Sequence, residues 1–255
     1  VDFVDYAALT ATLRDELLAF VSAAWEVVSL DDDGLEEFVG TVVPVVQASQ
    51  LQMAAATSVY FSEATGGTAA AVSDGVITTL RGVSPEVVYS RPIATARTAL
   101  SRGKSVSQAL ASGGRRAENI ASTDLQMAKV HQAHESLQAS EATLFRRVPT
   151  GRENCAMCMI AATQPYKKKD LMPIHPGCDC DVDVIPVGMD LNDMFDADAI
   201  LEATHARVEE FAGLADRGGR AADYRKLIVT HEHGEVGPVI AWKGQKFTGP
   251  KDIAN

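Results

Sequence analysis

All four cysteines of this 255-residue chain lie between positions 155 and 180, in the run NCAMCMIAATQPYKKKDLMPIHPGCDCD. They form two close pairs, Cys155-x-x-Cys158 and Cys178-x-Cys180, and His175 stands beside the second pair. A C-x-x-C knuckle offers two thiolates from one turn, and a structural zinc ion takes four nitrogen or sulfur ligands in a tetrahedron. Five candidates, Cys155, Cys158, His175, Cys178 and Cys180, are present for those four positions. A filled shell leaves no open position for water, so such a zinc is structural and adds folding free energy where apolar residues are few. Disulfides between the two halves, formed in an oxidising medium, are the competing staple, and free thiols are the third reading. In a reducing compartment C-x-x-C reads as metal or redox chemistry first.

The rest of the composition narrows the class. The chain is long enough to bury a full core as one large or two small domains. No apolar run reaches the ~20 residues needed to span a bilayer. Arg14, Asp15 and Glu16 interrupt the first apolar stretch, so it does not read as a signal peptide. The sequence therefore predicts a soluble chain made in a reducing cytoplasm. A net charge of −11 argues against a protein that coats nucleic acid. Acidic residues crowd 1–40 and basic ones are enriched in 91–152, a pattern that solvated helix faces explain.

Periodicity predicts mostly helix. Tyr6, Leu9, Leu13, Leu17, Phe20, Ala24 and Val28 make one stripe of an amphipathic helix over 3–29. Asp31-Asp32-Asp33-Gly34 ends it and caps a second helix over 35–64, with a kink at Pro44 and a break at Gly66-Gly67. A short helix is expected over 68–80, a turn or helix from Ser84-Pro85, and short helices over 92–101 and 106–111. Gly113-Gly114 is read as a break, followed by a long helix over 115–140. Beyond Phe145 the pattern turns to loop and short strand, with Asp181-Val182-Asp183-Val184-Ile185 alternating like a half-buried strand. One more helix over 197–214, a short one ending near Arg225, and two strands around 227–229 and 239–242 complete the reading.

The remaining clusters carry weaker signals. His231-Glu232-His233 puts two histidines at i and i+2, on one side of a strand, but lacks the H-E-x-x-H spacing of a metalloprotease helix. His131 and His134 are helix neighbours with no matching ligand group in the pattern. Lys167-Lys168-Lys169 and the pair Arg115-Arg116 are weak candidates for contact with phosphate or an acidic partner, and solvated surface is the plainer reading. No P-loop, G-x-S-x-G or Rossmann glycine pattern occurs.

One ordered set of motifs resembles a known family. Asn119-Ile120-Ala121-Ser122-Thr123-Asp124-Leu125 on a helix is followed by an Arg-containing linker and by Cys155-x-x-Cys158. His175-Pro176-Gly177-Cys178-Asp179-Cys180 and a β-like segment ending at Pro186 come next. This order resembles the phage Mu F-like (MuF) minor head proteins over roughly 115–187. Those proteins carry an A-R-T-E-like helix, a C-x-x-C and an H-P-N-C-R-C element. Here Ser122-Thr123-Asp124 stands where Arg-Thr-Glu is usual, and Gly177 and Asp179 where Asn and Arg are usual. The tail His231–Pro238 also looks like tails of head-gene products of actinobacterial phages.

The resemblance implies a minor capsid protein of a tailed phage, located in the virion at the capsid interior or portal vertex. Its implied partners are the portal protein and the major capsid or scaffolding protein, with packaged DNA as a further contact and no membrane. Catalysis is not expected. A capsid maturation protease and a zinc-stabilised nucleic-acid-binding module are the rival functions. The expected architecture is mainly α, a helical N-terminal bundle or arm plus a small α+β module stapled by the Cys/His cluster. Its expected divisions are 1–112, 113–188 and 189–255, the last a helix with short strands and a tail.

Overall fold

In a computed structural model of the chain, the described residues are 2–72, 75–78, 80–150, 156–167, 180–186, 188–189, 228–233 and 237–242. Helix α1 spans Phe3–Glu26, and the Asp2 carboxylate caps it by accepting from the Asp5 N–H at 2.9 Å. Its buried side is Tyr6, Thr10, Leu17, Val21 and Trp25. That stripe is rotated from the expected one: Leu9 is 46% exposed, whereas Thr10 and Val21 point inward.

Asp31 caps α2, Asp32–Thr65, through the Gly34 N–H at 2.8 Å and also accepts from Ser29 Oγ at 2.7 Å. Gly34 is required at this turn, because a Cβ there would lie 2.3 Å from the Ser29 carbonyl oxygen. Pro44 lies inside α2. Both it and Gly40, four residues earlier, are exposed, so the carbonyl that Pro44 leaves without an N–H partner is open to water. The helix ends as expected at Gly66, whose φ of 66° closes the last turn with Gly67 N–H reaching the Ser62 carbonyl.

The short helix expected over 68–80 shrinks to α3, Gly75–Thr78. Ser84 then caps α4, Pro85–Ser101, which runs straight through Pro92. The expected start at Pro92 is therefore corrected: the Ser-Pro cap starts the helix earlier, and Pro92 is buried in its middle. Gly103, with φ 77°, ends that helix.

Helix α5, Val106–Ala139, is the largest departure from expectation. A reciprocal capping box starts it: Ser105 Oγ accepts from Gln108 N–H at 3.2 Å and Gln108 Oε1 accepts from Ser105 N–H at 3.1 Å. It does not stop at Gly113-Gly114, so the expected 106–111 and 115–140 helices are one, and the expected 112/113 boundary falls inside it. The glycines form a notch for the Trp25 indole. A Cβ on Gly113 would stand 2.2 Å from Trp25 Cζ2, and one on Gly114 2.9 Å from Trp25 Cδ1. Trp25 Nε1 donates to the Leu110 carbonyl at 2.9 Å, and Phe38 meets the indole edge-on at 5.2 Å.

The chain divides into two units. The first, Val1–Val59 with Ala71–Gln132, holds one core drawn from α1, α2, α4 and α5, with Leu17, Val21, Trp25, Phe38, Val42, Tyr89, Ile93, Ala117, Ile120 and Leu125 among its members. The second comprises Tyr60–Ala70 and Ala133–Asn255. It contains β1 (Leu144–Val148), α6 (Ala156–Ala161), β2 (Tyr166–Lys167), β3 (Asp181–Val184), β4 (Ile228–His233) and β5 (Gly237–Trp242). One antiparallel sheet has the order β2-β1-β3, with Phe145 opposite Tyr166 and Val184. β4 and β5 form a separate antiparallel pair, in keeping with the two strands expected there. The helices expected over 197–214 and near 225 lie outside the described residues.

Three measurements test this account. Gly113→Ala lowers the unfolding free energy by more than about 2 kcal/mol despite the better helix propensity of alanine, because the methyl collides with a buried indole. Gly40→Ala, with nothing within 4 Å of its Cβ, raises stability by about 0.5–1 kcal/mol in the same denaturation assay. Asp31 gives a pH signature. The Gly34 N–H, then the Ser29 hydroxyl, hold its carboxyl below the ordinary value of 3.8. A depressed folded-state pKa stabilises the fold above the unfolded value and loses that effect as pH falls through the folded one. The difference in melting temperature between wild type and Asp31→Ala is therefore expected at pH 7 and is expected to narrow below about pH 4.

Candidate functional site

The sheet of the second unit carries its chemistry on two faces. Residues of a strand alternate sides. Arg146 and Asp183 stand opposite each other on one side, and Phe145, Arg147, Cys180, Val182 and Val184 fall on the other. All four residues of β3 are buried, so the half-buried alternation expected for 181–185 is corrected: both sides of this strand are covered, and its aspartates are held by partners.

On the first side, Arg146 places Nε at 2.9 Å and Nη2 at 2.7 Å from Asp183 Oδ2. The Tyr60 hydroxyl donates to Asp183 Oδ1. Burial first, and the neighbouring carboxylate second, push the Tyr60 phenol far above its ordinary value, so it remains a neutral donor. Asp181, next along this side, accepts from Thr150 Oγ1 at 2.6 Å.

On the second side, Phe145 and Tyr166 stack at 5.4 Å, and the Tyr166 hydroxyl donates to the Ala161 carbonyl at 2.7 Å, fixing the end of α6. Cys158 on α6 and Cys180 at the head of β3 come together there. Their Sγ atoms are 3.9 Å apart, they are 3% and 1% exposed, and both are unbridged thiols. Arg147, 1% exposed, directs Nη1 at Cys180 Sγ at 3.2 Å. The fold thus joins one cysteine from each half of the sequence cluster.

The other expected ligands, Cys155, His175 and Cys178, lie outside the described residues, as do Lys168 and Lys169. Among the described residues, no group of three or more His, Cys, Asp or Glu side chains is placed to hold a metal ion. Lys167 is exposed on β2, Arg115 is exposed on α5 and Arg116 is partly buried there. His231 and His233 take the i and i+2 positions of β4, opposite Val239 and Gly237.

In the first unit, Asp124, part of the Ser-Thr-Asp motif on α5, anchors a buried ion pair. Arg81 Nε lies 2.5 Å from its Oδ1, and the Tyr89 hydroxyl donates to its Oδ2 at 2.9 Å. Arg81 Nη2 also reaches the Ile120 carbonyl at 3.3 Å. Burial first, then the Asp124 charge, raises the Tyr89 phenol well above its ordinary value. Sequence reasoning found Asp124 by its motif but missed Arg81 and Tyr89. The only signal for them was their setting, an arginine ahead of the Ser84-Pro85 cap and a tyrosine on the apolar side of α4.

The class these observations define is a mainly helical protein with a small antiparallel sheet built around paired aspartate, arginine and cysteine side chains. Residues 1–206 match the family model described as VG15 protein, a viral (phage) family, and the chain belongs to that family. No curated protein and no solved structure matches it. Among the described residues no helix is long and apolar enough to cross a membrane.

The two buried carboxylates respond differently to removal. Asp124→Ala strands Arg81 and Tyr89 in the core and is expected to cost about 3–5 kcal/mol by urea denaturation. Asp183→Ala is expected to cost less, about 2 kcal/mol, because Arg146 is 29% exposed and recovers water.

Proposed function

We propose that this chain is a minor capsid protein of a tailed phage that infects actinobacteria. It associates with the portal and with the procapsid, and it assists head assembly or the packaging and delivery of DNA. The observation that carries the reading is the match to a viral family over 1–206, which spans the helical unit and both halves of the cysteine cluster. The order of the Asn119–Leu125 helix, Cys155-x-x-Cys158 and His175-Pro176-x-Cys178-x-Cys180 agrees with it, as that order resembles MuF minor head proteins. The described helical unit supplies buried packing and exposed polar helix faces, as suits a protein that works by docking. The cysteine cluster acts as a staple, by zinc or by disulfide, for a module with a small sheet. The exposed Arg115 and Lys167 are candidate contacts to an acidic partner or to DNA.

Coexpression with the portal, scaffolding and major capsid proteins tests this. The chain is expected to cosediment with procapsids in few copies, and antibody labelling of purified virions is expected to mark a single vertex. Absence from both particles overturns the reading. So does cleavage of the major capsid protein that depends on the chain and is abolished by Cys155→Ala or His231→Ala, which would make it the maturation protease. A salt-sensitive shift of DNA by the isolated chain, together with no particle association, would instead make it a nucleic-acid-binding module.

A further inference from the structure

Cys158 and Cys180 sit together but in unlike settings. Their sulfurs stand 3.9 Å apart, one on α6 and one at the head of β3, and both are buried and unbridged. The Cys158 thiol donates to Cys180 Sγ, and the Arg147 guanidinium donates to the same sulfur at 3.2 Å. Arginine is always charged and has no acceptor atom, so the sulfur it faces has to accept. A sulfur that accepts from a thiol and from a buried cation is placed to carry negative charge, because hydrogen bonds with a charged partner are the strong ones. The thiolate is the reactive form of cysteine, and an adjacent arginine is one of the settings that favours it. Cys180 is thus the nucleophile of the pair, and Cys158 is the thiol within reach of it. With 1% and 3% of the two residues exposed, the site suits a small oxidant such as a peroxide and not a peptide-sized disulfide.

We infer that Cys158 and Cys180 are a dithiol site that peroxide converts to a disulfide, with Cys180 oxidised first, Cys158 resolving it, and Arg147 as the positioning residue. The Cys180 thiolate attacks one peroxide oxygen and the O–O bond breaks. Cys180 becomes a sulfenic acid, and the released hydroxide takes a proton from solvent and leaves as water. The Cys158 sulfur then attacks Cys180 Sγ. The S–S bond forms, the S–O bond breaks, and the departing hydroxide leaves as a second water with the Cys158 proton. Two cysteine sulfurs are oxidised and one peroxide is reduced to two waters. The sulfurs approach by about 2 Å to reach the bonded distance of about 2.05 Å. The bond ties α6 to β3 across 22 positions of sequence. This rests on the staple reading of the cysteine cluster and is independent of where in the particle the chain resides.

The test uses the full chain, purified under reducing conditions and freed of reductant, with hydrogen peroxide as the probe. Peptide mass mapping after alkylation is expected to recover a linked Cys158–Cys180 peptide, and the urea midpoint of the oxidised chain is expected to rise. In Cys158→Ser a dimedone probe is expected to trap Cys180 as a sulfenic acid, whereas in Cys180→Ser no such label is expected on Cys158. Arg147→Met is expected to oxidise about 10-fold more slowly than wild type, and Arg147→Lys, which keeps the charge, to fall between. Where Arg147→Met does not fold, Arg147→Lys carries the same comparison. A disulfide through other cysteines keeps the staple and overturns this pairing. Sulfenic acid on Cys158 in place of Cys180 overturns the order of events. A bound zinc that keeps the pair reduced in peroxide overturns the dithiol site and leaves a metal staple. Thiols that stay reduced with no metal overturn the staple reading itself. An unchanged rate in Arg147→Met, with circular dichroism like that of wild type, removes the role of Arg147.

Discussion

The indole of Trp25 needs a notch with no side chains in it, and α5 provides one at Gly113-Gly114. Glycine inside a helix costs about 1 kcal/mol relative to alanine, so two in succession are tolerated only where something large takes the space. Here that is a buried aromatic ring whose N–H is satisfied by the Leu110 carbonyl. The fit sets the rotation of α5 about its axis. The face that receives Trp25 also carries Ala117, Ile120, Ala121 and Leu125 into the same core. It presents Asp124 where Arg81 and Tyr89 close on it.

The second unit solves a different problem. Its three-stranded sheet is small, and β3 is buried on both sides although two of its four residues are aspartates. Each aspartate is held: Asp183 by Arg146 and Tyr60, Asp181 by Thr150. A buried carboxylate without such partners is expensive, so these bonds are conditions for the strand to form at all. The opposite side is apolar except where Arg147 meets Cys180. Among the described residues, Cys158 and Cys180 meet on that side, both buried.

Local signals were legible where the chemistry is local. Asp31 caps a helix and Gly66 ends one with positive φ, because these effects span only a few residues. The two C-terminal strands were legible from their β-branched runs. The reading failed where a distant partner overrode the local rule. Gly113-Gly114 reads as a breaker until Trp25 is placed against it, and Pro92 reads as a new start although the helix that begins at the Ser84 cap continues through it. The Ser105–Gln108 capping box was present in the sequence, and it marks the true start of α5.

What the sequence alone determined is the inventory: a mainly helical chain, helix starts at Asp31–Gly34 and Ser84-Pro85, and five residues with metal-ligating chemistry gathered between positions 155 and 180. Spacing of three or four residues is enough to fix such features, since they depend on one turn of backbone. Only the tertiary structure decided which side of α1 is buried, that two expected helices are one, and that Asp124 faces Arg81 and Tyr89. It alone brought Cys158 to Cys180 and set Arg147 against the Cys180 sulfur. Those are contacts between residues far apart in sequence, and nothing local encodes the register of a helix or strand that comes to meet them.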